Sequence, residues 1–164
     1  MFLRKQTSRF CIWETKVTFQ PTSEHEEAGT VVWWNYTNYS SIGIRKGLKY
    51  DDNGLACPAR VLRFRPAIGE PVTQELSGSG LDVLLYIRCG NKYEFGFREY
   101  SGPDDKDVEI HWLGEVSNLV MTREPPVGMA FSGMMLGLYA FAEHQRSMNV
   151  ADFHYAQCKP REMD

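Results

Sequence analysis

The sequence predicts an all-β fold, two antiparallel sheets packed face to face as a β-sandwich, and three observations carry that prediction. About ten to twelve short stretches alternate apolar and polar residues with the period of two that a strand imposes. Turn-forming clusters separate them at intervals of roughly 8 to 12 residues. No amphipathic stretch reaches the roughly ten residues of a stable helix. Each sheet then has an apolar face to bury, and a second sheet covers it. A chain of 164 residues is read as a single domain, 1–164, large enough for a core without disulfides or metals.

The elements follow in order. Cys11, Trp13, Thr15, Val17 and Phe19 alternate with Ile12, Glu14, Lys16 and Thr18, a half-buried strand that ends at Pro21. The acidic stretch Thr22 to Glu27 reads as a loop, and Thr30 to Tyr36 as a β-branched and aromatic strand inside a sheet. Its adjacent Trp33 and Trp34 must point to opposite faces. One packs inside and the other meets a concave surface or a neighbouring domain, unless both simply pack. Tyr39 to Arg45 is the next strand, and Lys46 to Pro58 reads as an exposed loop. In Ala59 to Pro66, Val61, Arg63 and Arg65 oppose Leu62 and Phe64, giving a one-sided strand with a basic face. Val72 to Leu76 is short. Leu81 to Cys89 and Tyr93 to Arg98, joined by Gly90-Asn91, form the best hairpin in the chain, its turn residues tolerant of positive φ. Val108 to Leu113 is a strand and Gly114 to Met121 holds a short helical turn before Pro125-Pro126. Met134 to Phe141 reads as a strand buried on both faces. The polar run Glu143 to Ser147 breaks it, and the strand through Phe153 and Tyr155 is placed to pair back on it as a closing hairpin.

Composition excludes several functions. A formal charge of −3 without a dense Lys/Arg run offers no footprint for phosphate backbones, so nucleic acid is not an expected partner. No apolar run approaches the roughly 20 residues that span a bilayer, so no membrane is expected either. Met1 to Gln6 lacks the apolar core and cleavage site of a secretory leader. The expected compartment is the cytoplasm as written, or outside the cell if the chain is part of a secreted enzyme, where the sequons at Asn35 and Asn38 would matter. Cys11, Cys57, Cys89 and Cys158 lack CxxC spacing and sit in apolar strand contexts, as buried free thiols or a disulfide.

Catalytic chemistry does not announce itself. Tyr50-Asp-Asp-Asn-Gly54 has only part of a calcium loop's spacing and lacks the twelfth-position glutamate, so it reads as a solvated turn. His25, His111, His144 and His154 show neither HxH nor HExxH spacing, so no metal is expected, and His154 is placed outward on its strand. No nucleophile elbow, phosphate loop or dinucleotide fingerprint occurs, so no cofactor is expected. The carboxylates cluster in loops, Glu24 to Glu27 and Asp104 to Asp107, where solvation is the ordinary state. No strand carries the paired glutamates of a concave-sheet glycanase, which leaves a complete small hydrolase the weakest reading.

The run Phe131-Ser-Gly-Met-Met-Leu-Gly-Leu-Tyr-Ala140, followed by Ala151-Asp-Phe-His-Tyr155, resembles the C-terminal concanavalin A-like β-sandwich of family 43 glycoside hydrolases, the β-xylosidases and α-L-arabinofuranosidases. Phe2-Leu-Arg-Lys-Gln-Thr7, Pro21-Thr-Ser-Glu-His-Glu-Glu-Ala-Gly29 and Val31-Val-Trp-Trp34 extend the resemblance in the family's order over nearly the whole chain. It implies a non-catalytic accessory domain whose partner is a five-bladed propeller carrying the acid, the base and the auxiliary carboxylate. Phe131 matches the aromatic that such a domain sends to the edge of the propeller's sugar pocket, and Arg4 and Gln6 match the segment that enters from the propeller. The glutamates from Glu24 to Glu27 would shape a turn. The implied substrates are xylo- or arabino-saccharides. His154 departs from the family's acidic or small residue. A rival reading is a free-standing lectin-like module that stacks saccharides on Trp33 or Trp34.

Overall fold

The structure, a computed structural model, describes residues 1–77, 80–100, 102, 109–122, 133–144 and 146–161. Eleven strands and one helical turn occur among them: β1 Phe2–Lys5, β2 Cys11–Thr18, β3 Glu26–Trp33, β4 Tyr39–Tyr50, β5 Ala56–Arg65, β6 Val72–Glu75, β7 Asp82–Cys89, β8 Lys92–Glu99, β9 His111–Ser117, α1 Asn118–Met121, β10 Met135–Ala142 and β11 Asp152–Pro160. They form a six-stranded sheet, β1-β10-β3-β4-β5-β6, and a five-stranded sheet, β11-β2-β7-β8-β9, with antiparallel pairing throughout. The expected two-sheet sandwich is the fold.

Alternation decides what goes inside. Along β2, residues alternate strictly between buried and half-buried, with Cys11, Trp13, Thr15 and Val17 inward. Ile42, Ile44 and Leu62 of one sheet meet Leu85, Ile87 and Phe95 of the other, all with no accessible surface. Burying each such side chain contributes about 1.5–3 kcal/mol. The Phe64 and Phe95 rings meet between the sheets at 4.9 Å. Gly114 leaves Phe64 its place, because a Cβ there would stand 2.3 Å from the ring edge. One polar thread crosses the core: Trp13 Nε1 donates to Thr30 Oγ1 at 2.8 Å, and Thr30 donates to the Gly137 carbonyl at 2.7 Å. Both buried polar groups are thereby satisfied.

Several expectations need correction. The last two strands do not pair: β10 lies between β1 and β3, whereas β11 sits at the edge of the other sheet beside β2. Sequence adjacency suggested a hairpin, but the apolar faces of the two strands are used in different sheets. The stretch 46–58 is largely a long hairpin, because β4 runs on to Tyr50 and pairs through Tyr50↔Ala56 with β5. Its turn is built by Asp51, whose carboxylate accepts from the backbone N–H of Asn53 and Leu55. The β7–β8 hairpin forms as expected, although neither Gly90 nor Asn91 adopts a positive φ. All four cysteines are free, Cys11 and Cys89 buried, Cys57 and Cys158 only half-buried.

Candidate functional site

The face of the six-stranded sheet turned away from the core holds the site, and strand register builds it. Across β10, β3, β4 and β5, one row reads Tyr139, Gly29, Gly43, Arg63. The row on one side is Phe141, Glu27, Arg45, Val61. On the other side come Gly137, Val31, Ser41, Arg65, and then Met135, Trp33, Tyr39. Two neighbouring glycines leave the middle row without side chains. Tyr139 lies into that gap, and a Cβ on Gly43 would stand 2.3 Å from its hydroxyl.

The result is a hollow of about 470 Å³ with aromatic walls and a charged floor. Trp33 and Tyr39 stack at 5.3 Å on one side, and Tyr139 and Phe141 at 5.8 Å on the other. The Arg65 guanidinium lies 4.3 Å over the Tyr39 ring, while Glu143 stands exposed at the rim. On the floor is Glu27, only 2% exposed. Tyr139 Oη donates to its Oε1 at 2.6 Å, and Arg63 Nη2 and Arg45 Nη1 approach its Oε2 at 2.5 and 3.8 Å. Arg63 and Glu27 thus form a close ion pair. Oε2 has no hydrogen-bond donor among the described residues, and Arg63 Nε has no acceptor. Burial pushes the Glu27 carboxyl above its ordinary range, outweighing the Arg63 charge, the Tyr139 hydrogen bond and the Arg45 charge that pull it down. The Tyr139 phenol is pushed well up by burial and by the carboxylate beside it.

Of the residues singled out in sequence, Trp33 is on the wall of this hollow. Trp34, one position beyond β3, is not among its lining residues, and its indole Nε1 is buried without a partner among the described residues. Arg4 is exposed on β1. Gln6 is used inside the domain: its amide donates to the Ser8 carbonyl at 2.8 Å and accepts from Tyr93 Oη at 2.7 Å. Phe131 lies outside the described residues. His154 sits at a bulge in β11, 2.6 Å from Thr18 Oγ1. Among the described residues, no group of three or more His, Cys, Asp or Glu is placed to hold a metal ion.

The glutamate stretch read as a solvated loop contains two buried carboxylates, because β3 starts at Glu26. Glu26 shapes a turn, accepting from the Thr22 and Ser23 backbone N–H at 2.6 and 3.3 Å and from Ser147 and Asn149. Burial pushes its carboxyl upward, but the hydrogen bonds from Ser147, Thr22 and Asn149 prevail and hold it at about 2. Sequence reading also missed Tyr39, Arg63, Arg65 and Tyr139 as site residues. The basic face of β5 was the available signal, but only the register shows that Glu27 and two aromatic pairs share it.

The model of the β-xylosidase C-terminal concanavalin A-like domain matches residues 1–159. The chain belongs to that family. Similar solved structures include the Bacteroides ovatus protein described as Xyloglucan PUL GH43B, 25% identical with a TM-score of 0.72, matching 97% of this chain and 29% of its own. A xylan β-1,4-xylosidase from Bacillus halodurans C-125 is 19% identical with a TM-score of 0.68, over 96% of this chain and 29% of its own. A functionally unknown protein from Saccharomyces cerevisiae, 13% identical with a TM-score of 0.60, is matched over 72% of its length and 96% of this chain. No curated protein matches. This concanavalin A-like domain thus spans under a third of the length of the first two structures.

Proposed function

We propose that this domain is the non-catalytic part of a family 43 glycoside hydrolase acting on xylan- or arabinoxylan-type saccharides, packed on a catalytic five-bladed propeller. The observation that carries the reading is the coverage: the family match takes up nearly the whole chain, yet only 29% of the xylosidase structure it resembles. Hydrolysis of a glycosidic bond ordinarily needs an acid and a base or nucleophile facing each other across the bond. On the sheet face, Glu27 is tied to Tyr139, Arg63 and Arg45, and the other carboxyl lining the hollow, Glu143, stands exposed at the rim. A carboxylate so engaged is a floor group, and the chemistry belongs to the propeller.

In this reading Phe131 reaches the propeller's sugar pocket, where an aromatic ring closes the site beyond the terminal sugar and excludes water. Arg4, on the exposed β1, faces the propeller, whereas Gln6 anchors the entering chain to Ser8 and Tyr93. The test is Phe131→Ala in the assembled enzyme with a small aryl xyloside. A fall in kcat/KM of roughly tenfold, one aromatic contact's worth of transition-state stabilisation, is expected. Unchanged kinetics would remove the role of Phe131.

A further inference from the structure

We infer that the hollow on the outer face of the six-stranded sheet is itself a saccharide-binding site, formed by Trp33, Tyr39, Glu27, Arg63, Arg65 and Phe141. The inference concerns the domain itself and does not rest on the propeller reading.

Three features select the ligand. The walls are stacked aromatic pairs, Trp33 with Tyr39 and Tyr139 with Phe141, of which the half-buried Trp33 and the exposed Phe141 offer apolar surface to weakly apolar C–H groups. The floor, Glu27 ion-paired with Arg63 and Arg45, is buried, and the accessible acceptor at the hollow is the Glu143 carboxylate on the rim. A hydroxyl both donates and accepts, so vicinal hydroxyls can answer a rim carboxylate and a guanidinium together, whereas a carboxylate or an ammonium can answer only one. The third feature is Arg65, which is exposed, lies 4.3 Å over the Tyr39 ring and lines the same hollow with a guanidinium that can only donate. Ring faces with hydroxyl edges are the signature of sugars. At about 470 Å³ the hollow is within the range of about 300–1,000 Å³ typical of small-ligand sites and takes a short oligosaccharide. Its floor is preorganised: Tyr139 and the two guanidiniums hold Glu27, and Gly43 gives Tyr139 the room to do so.

The experiment is a tryptophan-fluorescence titration of the whole chain with xylotriose, arabinotriose and cellotriose in separate arms. Saturable binding of at least one is expected, with the same response in Trp34→Phe because Trp34 does not line the hollow. Trp33→Ala and Arg65→Ala should each weaken binding by roughly tenfold or more, the loss of one stacking or charged contact. Arg65 is exposed, so its variant keeps the fold even if removal of Trp33 disturbs β3, and calorimetry reads it without relying on Trp33 emission. No saturable response to any of the three sugars would overturn the inference, as would binding that survives both substitutions. Neither outcome bears on Phe131, whose test is turnover.

Discussion

The two outer faces of this sandwich are built from the same kinds of residue and end in opposite states. On the five-stranded sheet, charges are matched across neighbouring strands: Arg88 with Glu94 at 2.5 Å, Lys92 with Glu115 at 2.5 Å, and Lys16 with Asp82 at 2.7 Å. Its aromatics are capped by cations, Arg88 over Trp112 at 4.3 Å and Lys16 over Tyr100 at 4.0 Å. On the six-stranded sheet, two facing glycines open a gap, aromatic pairs wall it, and a buried carboxylate, Glu27, lies at its floor. Matched cross-strand pairs make an electrostatically finished surface. Glycines opposite one another at the centre of a face make a site.

That contrast can be broken severely at Gly43, where the added atom meets Tyr139 itself. Gly43→Ala places a Cβ against the Tyr139 hydroxyl and the Ala28 carbonyl and should destabilise the domain by about 3 kcal/mol, the upper range of overpacking, read by denaturant unfolding. It should also abolish saccharide binding, since Tyr139 must leave Glu27.

Next in size is Glu26→Gln, which weakens several hydrogen bonds to a buried carboxylate at a cost of about 2 kcal/mol at neutral pH. The sign of its pH dependence follows from a carboxyl lowered from 4.5 to about 2 on folding. Its stabilisation is full above about 4.5 and is lost as pH falls toward about 2. Wild-type melting temperature should therefore drop through that window, and the Gln variant should drop less. Equal slopes would show that Glu26 is not the titrating group.

Tyr139→Phe removes one hydrogen bond to Glu27 and should cost about 1 kcal/mol, with weaker sugar binding because the carboxylate loses its anchor. The smallest effect belongs to the finished face. Arg88→Met should change stability by about 0.5 kcal/mol and leave sugar binding untouched. A binding loss there would mean that the two faces are coupled.

Alternation in the sequence is enough to assign most strands, because a period of two survives in any strand with one wet face; β2 shows it residue by residue. The same alternation sets adjacent Trp33 and Trp34 on opposite faces, and of the two Trp33 lines the hollow. Partnership between strands is less accessible, since it depends on contacts far apart in the chain. β10 and β11, neighbours in sequence, go to different sheets, and Glu27 meets Tyr139 across 112 positions. Glu26 and Glu27 look like loop residues because acidic side chains are rarely buried. Only their partners, two guanidiniums for one and a ring of turn donors for the other, make burial tolerable.

On the proposed reading, this domain is part of a glycoside hydrolase whose catalytic pair lies elsewhere. The most direct measurement is hydrolysis of 4-nitrophenyl β-D-xyloside and 4-nitrophenyl α-L-arabinofuranoside by the purified chain, beside its Glu27→Gln variant. The account predicts release of nitrophenol at the buffer rate for both proteins. Turnover by the wild-type chain that disappears in Glu27→Gln would contradict it, and would make the hollow on the six-stranded sheet an active site.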